Sequence, residues 1–518
     1  MTTVSNPILS GFYPDPSICR VGTQYYLVNS TFAYFPGVSV MESSDLKHWK
    51  QIGSVLERKE QLPLDGCGHS EGIFAPTIRY YNGTFYMITT NISGGGNFVV
   101  TAKDPKGPWS DLYWLGEAAQ GIDPSLFFDD DGTCWYIGTH PNPDGVRYNG
   151  DWMIWIQRLD LETMQLIGES YNIWKGAMRD VIWPEGPHLL KKDGWYYVIN
   201  AEGGTGPNHS ICVARSRNIT GPYENNLNNP ILTHRHMGKE YPIACVGHGD
   251  FVESIEGDWY VVMLGTRPYK GKTVIGRETF IAKVEWEDGW PVINPGIGHL
   301  EDVVELNTTE EPDFVTPIVT HFHMKKLPVN WMSLRGPRED FASLAEREGY
   351  LRIHLCPESL KERAACAYLA RRISDFDWQA EWMLDYEPIK ENECAGAAVM
   401  MDNDNHIRME IRKEGSDRAI ILIRCQKGIE EEIARQPIGA GEVLLRIVER
   451  DLKCSFYAQA GGETVTVAEN IDYAFMSIED ADKIYVMQNG YVEGCGTHEE
   501  LLQKNQIYQN LVRAQSYE

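Results

Sequence analysis

Asp15, Asp123 and Glu185 each open a similar stretch of chain: a carboxylate, a proline or Gly-Pro pair, an apolar strand, a glycine turn and a strand rich in aromatics. Two further copies open on Ala75 and His248. Taken singly, Asp-Pro and Glu-Gly are ordinary turn residues. Three carboxylates in one register, drawn from copies far apart in sequence, are not explained that way, because unpaired buried charges are costly and concentrate at functional sites. Facing carboxylates with no metal-ligand cluster fit the hydrolysis of an acetal. One acid protonates the leaving oxygen, one carboxylate activates water, and the third raises the acid's pKa by like-charge repulsion. Spacing alone leaves the three roles unassigned, although Glu185, one methylene longer, has the reach of an acid.

The stretches that must position these groups read Asp15-Pro-Ser-Ile-Cys-Arg-Val-Gly-Thr-Gln-Tyr-Tyr, Ala75-Pro-Thr-Ile-Arg-Tyr-Tyr-Asn-Gly-Thr-Phe-Tyr, Asp123-Pro-Ser-Leu-Phe-Phe-Asp-Asp-Asp-Gly-Thr-Cys-Trp-Tyr, Glu185-Gly-Pro-His-Leu-Leu-Lys-Lys-Asp-Gly-Trp-Tyr-Tyr and His248-Gly-Asp-Phe-Val-Glu-Ser-Ile-Glu-Gly-Asp-Trp-Tyr. Each predicts a hairpin. Gly132, Gly194 and Gly257 stand nine positions after the leading residue, Gly83 eight and Gly22 seven. The leading residues are 48 to 63 positions apart, room for about four short strands per unit. Five such units predict a five-bladed β-propeller, in which the first strand of every blade lines a central channel. One equivalent position per blade then faces a shared axis.

The 518 residues are 42% hydrophobic, enough for more than one cored domain. A net charge of −26 argues against nucleic acid or an anionic membrane as partner. The 15 Trp and 11% aromatics suit strands and flat platforms for sugar rings. The 11 Cys form no CxxC pair, which speaks against a disulfide scaffold or a zinc site. The N-terminus has no basic-then-apolar leader, and no run of about 18 apolar residues occurs, so a cytoplasmic protein is expected. Gly271-Lys272-Thr273 resembles the end of a phosphate loop, but Thr266 stands where that loop needs Gly. Gly94-Gly95-Gly96 is a turn.

Past residue 310 the pattern changes. Thr308, Thr309, Glu310, Glu311 and Pro312 read as a linker, and Tyr350-Leu-Arg-Ile-His-Leu, Ala397-Ala-Val-Met-Met, Ile407-Arg-Met-Glu-Ile-Arg and Ala419-Ile-Ile-Leu-Ile read as antiparallel strands. The expected organisation is all-β: a propeller over 1–310, a jelly-roll-like β-sandwich over 311–476 and a tail over 477–518. Ala481-Asp-Lys-Ile-Tyr-Val-Met-Gln-Asn-Gly-Tyr-Val-Glu and Gly496-Thr-His-Glu-Glu-Leu-Leu resemble the C-terminal end of an ATP-binding cassette transporter ATPase, with a terminal helix starting at Thr497. With no phosphate loop in the chain, this tail would be a passive fusion scar.

Asn6-Pro-Ile-Leu-Ser-Gly-Phe-Tyr-Pro-Asp-Pro-Ser, Ile73-Phe-Ala-Pro-Thr-Ile-Arg-Tyr, Gly121-Ile-Asp-Pro-Ser-Leu-Phe, Trp183-Pro-Glu-Gly-Pro-His and Gly276-Arg-Glu-Thr-Phe resemble, in order, the motifs of glycoside hydrolase family 43. Over residues 5–470 the likeness is to its two-domain β-xylosidases. The resemblance implies an inverting exo-enzyme that releases xylose from the non-reducing end of β-1,4-xylo-oligosaccharides and also acts on α-L-arabinofuranosides. It makes Asp15 the general base, Asp123 the pKa modulator and Glu185 the general acid. It also implies Arg277 on the sugar hydroxyls, Phe32 and Phe74 as pocket walls, and Phe35 and Thr205 at the rim. His248 would face the sugar and stand beside a hydrated Ca2+ or other divalent cation on the axis, which would not generate the nucleophile; no cofactor enters the chemistry itself. An enzyme that prefers arabinofuranosides and a non-catalytic oligosaccharide-binding propeller are the alternatives, and a homo-oligomer is left open.

Overall fold

Runs of β-branched and aromatic residues on either side of a glycine fold back on themselves, and the chain does so repeatedly. The computed structural model describes residues 2–238, 240–308, 319–481, 484–488, 491–496, 506 and 509, and they are nearly all strand and turn. None of their helices is long and apolar enough to cross a membrane.

The strands that follow or contain the five leading residues are β1 (Ser17–Val21), β2 (Thr77–Tyr81), β3 (Ser125–Phe128), β4 (Glu185–Lys192) and β5 (Ala244–Glu253). Each pairs antiparallel with the aromatic strand behind it, as in Val21↔Gln24, Tyr81↔Thr84 and Lys192↔Trp195. The turn glycines Gly22, Gly83, Gly132, Gly194 and Gly257 have φ from +60° to +89°, the left-handed region that a glycine adopts without a Cβ penalty. Outer strands extend each hairpin into a sheet. Among the described residues β1 to β5 lie side by side in order, and β5 lies against β1. The propeller therefore closes as a ring, which protects its sheet edges. Strand Thr2–Ser5 pairs with Val303–Leu306 and ties the start of this unit to its end.

Apolar side chains fill the wedges between neighbouring sheets. Ile18, Leu27 and Met41 meet Val252, Val262 and Ile281, and Ile137, Ile154 and Ile156 meet Leu189, Val198 and Ala214. Full burial of one large side chain contributes roughly 1.5–3 kcal/mol, so these wedges hold the ring and fix where its inner strands begin.

The compact units are Met1–Pro268 with Arg277–Asp375, and Tyr269–Gly276 with Phe376–Glu518. Residues past the boundary expected at 310 thus pack in part with the first unit. Strand Met332–Leu334 pairs with Tyr34–Phe35, and the buried Arg335 donates to the Cys67 carbonyl at 2.7 Å. The stretch from Tyr350, read as a sandwich strand, gives only Arg352–Ile353, with both side chains exposed. Its alternating Ile353 and Leu355 are left exposed and are not buried against a second sheet. The linker expected after Thr308 lies outside the described residues.

The second unit is a β-sandwich of two four-stranded antiparallel sheets. One joins Trp378–Leu384, Val443–Arg450, Lys453–Ala460 and Glu463–Asp472; the other joins Cys394–Met400, His406–Glu414, Asp417–Gln426 and Ile429–Pro437. Strand alternation places Ile407, Met409, Ile411, Ile420, Leu422, Leu445, Ile447 and Phe456 in its core. In the segment expected as a tail, a short helix spans Ile478–Ala481, and strands Ile484–Gln488 and Tyr491–Gly496 pair antiparallel. The helix expected from Thr497 lies outside the described residues, apart from Gln506 and Gln509, which are helical.

Candidate active site

Three of the five leading residues hold a backbone conformation that side chains disfavour: φ is +53° at Asp15, +52° at Asp123 and +53° at His248. Left-handed backbone at a non-glycine residue costs on the order of 1–3 kcal/mol and clusters at functional sites. Glu185 is aimed differently. The register of β4 skips from Glu185↔Ala201 to His188↔Ile199, a bulge containing Gly186 at φ +55°, and β5 is irregular in the same way around Gly247 and His248. Such bulges re-aim a side chain at the end of a strand. Gly186 is obligatory here, since a Cβ would lie 2.7 Å from the His248 ring. Ala75, the fifth leading residue, is buried and brings no charge.

The three carboxyls share a buried site but differ in proton affinity. Burial pushes Asp15 up, but the Arg277 guanidinium, the field of His248 and the Ser30 hydroxyl together hold it below the usual carboxylate range. Arg277 Nη1 stands 3.0 Å from Asp15 Oδ1, and Ser30 Oγ donates to Oδ2 at 2.6 Å. Burial raises Asp123 to about 6, with His248 opposing and the Asp15 charge adding. Glu185 is pushed well above its ordinary value, first by burial and then by the negative charges of Asp123 and Asp15. The site thus sets a carboxyl that gives up its proton readily beside one that retains it. That is the pair of states acetal hydrolysis requires.

An aromatic and cationic wall adjoins Asp15. Phe32 packs edge-on to Phe74 at 5.5 Å between ring centres and stacks with Phe12 at 5.7 Å. Arg277 lies over the Phe32 and Phe12 rings at 5.3 and 5.9 Å. The expected set therefore meets at Asp15, Phe32, Phe74 and Arg277. Phe12 and Ser30 are additions that the sequence reading passed over, although Phe12 lies inside a quoted motif. Thr205 is exposed and follows Gly204, where a Cβ would come 2.8 Å from the Trp183 ring. Phe35 is a correction. It is 2% exposed and its backbone pairs with Ser333, so it packs as core and offers no free face at a rim.

Deeper along the inner strands, β1, β2, β4 and β5 meet in a second ionic cluster. Arg79 places Nη1 2.8 Å from Asp250 Oδ2 and Nη2 3.1 Å from Oδ1, and Nη2 also reaches His188 Nδ1 at 3.0 Å. Ser17 Oγ and the Ile18 N–H donate to Asp250 at 2.7 and 3.0 Å. Beside His248, where the hydrated divalent cation is expected, the described residues hold no group of three protein ligands. Among the described residues, the cluster of three potential ligands is His406, Cys425 and Glu430 in the second unit, whereas a hard cation takes about six to eight oxygen ligands. The cation seated on these inner strands is Arg79. A hydrated cation beside His248 would take most of its oxygen ligands from water, and no step is routed through one.

The glycosyl hydrolases family 43 pattern matches residues 4–291, and the beta xylosidase C-terminal concanavalin A-like domain matches residues 319–490. The second match continues past 476, into the segment read as a foreign tail. A xylosidase/arabinosidase of Butyrivibrio fibrisolvens is 50% identical over 485 residues, covering 93% of this chain and 94% of its own length. A non-reducing end alpha-L-arabinofuranosidase of Bacteroides ovatus is 37% identical, covering 88% and 85%. The solved structure of a xylan beta-1,4-xylosidase from Bacillus halodurans is 36% identical with a TM-score of 0.87, covering 95% and 96%. The chain belongs to glycosyl hydrolase family 43, and it is a glycoside hydrolase.

Proposed function

We propose that this family 43 hydrolase is an inverting exo-β-xylosidase that removes single xylose units from the non-reducing end of β-1,4-xylo-oligosaccharides. The observation that carries the reading is the opposed proton affinity of two carboxyls in one buried site, Asp15 held down and Glu185 pushed up. Glu185 gives its proton to the glycosidic oxygen as the bond from C1 to that oxygen breaks. Asp15 takes a proton from a water whose oxygen bonds to C1 from the opposite face. One proton leaves Glu185, one reaches Asp15, and water supplies the new hydroxyl. Asp123 keeps Glu185 protonated between turnovers. Arg277 binds sugar hydroxyls and holds Asp15 ionised, while Phe12, Phe32 and Phe74 wall the terminal sugar. His248 and Thr205 complete the polar contacts.

A second reading, with α-L-arabinofuranosides as the better substrates, is favoured by the name of the Bacteroides relative. Specificity constants on the two aryl glycosides rank the readings. Among the cysteines whose side chains are described, none forms a disulfide, which supports the cytoplasm as the working compartment. The mechanism is tested by following xylobiose hydrolysis by NMR before mutarotation. α-Xylose is expected first; β-xylose would mean a covalent nucleophile, and binding without turnover would leave an oligosaccharide-binding propeller.

A further inference from the structure

Gly271-Lys272-Thr273, the discarded phosphate-loop look-alike, lies in Tyr269–Gly276, a segment that clusters with the second unit although propeller strands flank it on both sides. The segment turns tightly. Tyr269 and Lys272 exchange backbone hydrogen bonds at 2.9 and 3.0 Å, with Lys270 and Gly271 at φ +51° and +73° between them. Side chains of the second unit then hold it at three places. Tyr269 Oη donates to Asp451 at 2.9 Å, and Lys270 pairs with the same carboxylate. Lys272 pairs with Asp480. Glu479 accepts from both the N–H and the hydroxyl of Thr273, at 2.9 and 2.7 Å, while the Ile478 N–H donates to the Thr273 carbonyl at 3.1 Å.

The lysine pairs are partly exposed and worth little singly. Thr273 is different: it is 3% exposed, and its N–H, hydroxyl and carbonyl are all bonded to residues 478 and 479. Four residues later the chain delivers Arg277, whose guanidinium meets Asp15 at 3.0 Å and lies over Phe32. So short a connection passes a shift at Thr273 on to Arg277, and catalytic groups tolerate little displacement.

We propose that Glu479 is a positioning residue for the reaction: by fixing Thr273 it sets the place of Arg277 and with it the Arg277–Asp15 ion pair. This rests on the reading of Arg277 as a sugar-binding residue and Asp15 as the base. It gives a task to the start of a segment that sequence reading treated as passive.

A double-mutant cycle on the full chain tests it, with kcat/KM on an aryl β-xyloside as the readout. Glu479→Ala is expected to lower kcat/KM about tenfold, but by less than about twofold in an Arg277→Ala background, because the two residues act as one device. In the single variant the acid limb of the pH profile should move to higher pH, since Asp15 loses part of its cation. Glu479→Gln, which keeps an acceptor for the Thr273 N–H, should recover most of the loss. Thr273→Val removes only the hydroxyl donor, guards against a Glu479→Ala chain that fails to fold, and should show the same non-additivity at smaller size. Equal losses in both backgrounds, or folded variants with no loss, overturn the clamp alone. If Arg277→Ala itself leaves kcat/KM unchanged, the role given to Arg277 falls and the clamp falls with it.

Discussion

Two ionic clusters line the inner strands of the propeller, and they treat their carboxyls differently. Asp250 faces a bidentate guanidinium, a hydroxyl and a backbone N–H, and although burial alone would raise it, Arg79 and these donors hold it at about 2. Glu185, half-buried and facing two carboxylates, is pushed well above its ordinary value. Asp123, with His248 and the Gly186 N–H against its burial and the Asp15 charge, is raised to about 6. Burial raises a carboxyl in either cluster; a facing cation reverses this at Asp250 and Asp15, whereas facing carboxylates add to it at Glu185. The deeper cluster is finished as structure, while the upper one is left unbalanced, which makes it able to exchange protons with a substrate.

The largest expected effect is at the upper cluster. Asp15→Asn should lower kcat by roughly 10²–10⁴ on xylobiose and aryl xyloside alike, because no leaving group replaces activation of water. Steady-state kinetics on both substrates checks this, and retained turnover would mean that the contrast between clusters has no catalytic meaning. At the deeper cluster the loss should be of stability. Arg79→Met strands Asp250 without its cation and should cost roughly 3–5 kcal/mol in denaturant unfolding, with much of it recovered in Arg79→Met/Asp250→Asn. The pH dependence has a definite sign. Asp250 is depressed on folding, so its contribution of about 2 kcal/mol is present above the unfolded value of 3.8 and is lost as pH falls through about 2.

Two smaller effects sharpen the comparison within the upper cluster. Glu185→Gln should lower kcat/KM on xylobiose by roughly 10²-fold, but by less than about tenfold on aryl xylosides whose leaving groups need no proton. Equal losses would remove the acid role from Glu185. Asp123→Asn takes away a like charge, so the Glu185 pKa falls, and the alkaline limb of the kcat profile should move to lower pH by on the order of one pH unit. An unmoved limb would show that burial alone keeps Glu185 protonated.

The hairpins and the three carboxylates were legible in the sequence because both leave periodic marks. A left-handed turn admits few residues, so Gly132, Gly194 and Gly257 recur at one offset, and the residue nine places earlier is thereby located. Ser30 and Phe12 carry no such mark, since a hydroxyl beside a base and a ring beside a guanidinium look like any strand or loop residue until the chain is folded. Phe35 misled for the complementary reason: an aromatic near the motifs is as often core as pocket wall. A change of pattern marks the boundary at 310, but it gives no sign that Met332–Leu334 returns to pair with Tyr34–Phe35 across nearly three hundred residues.

By itself the sequence determined the all-β class, the repeated hairpins and which acidic groups share a register, because these depend on local backbone preference and on period. Only the tertiary structure decided which carboxyl stays charged, since that depends on cations delivered by distant strands: Arg277 to Asp15, and Arg79 to Asp250. It also decided that the loop before Arg277 is held by Glu479. Charge interactions act across space, and spacing along the chain says nothing about them until the ring has closed.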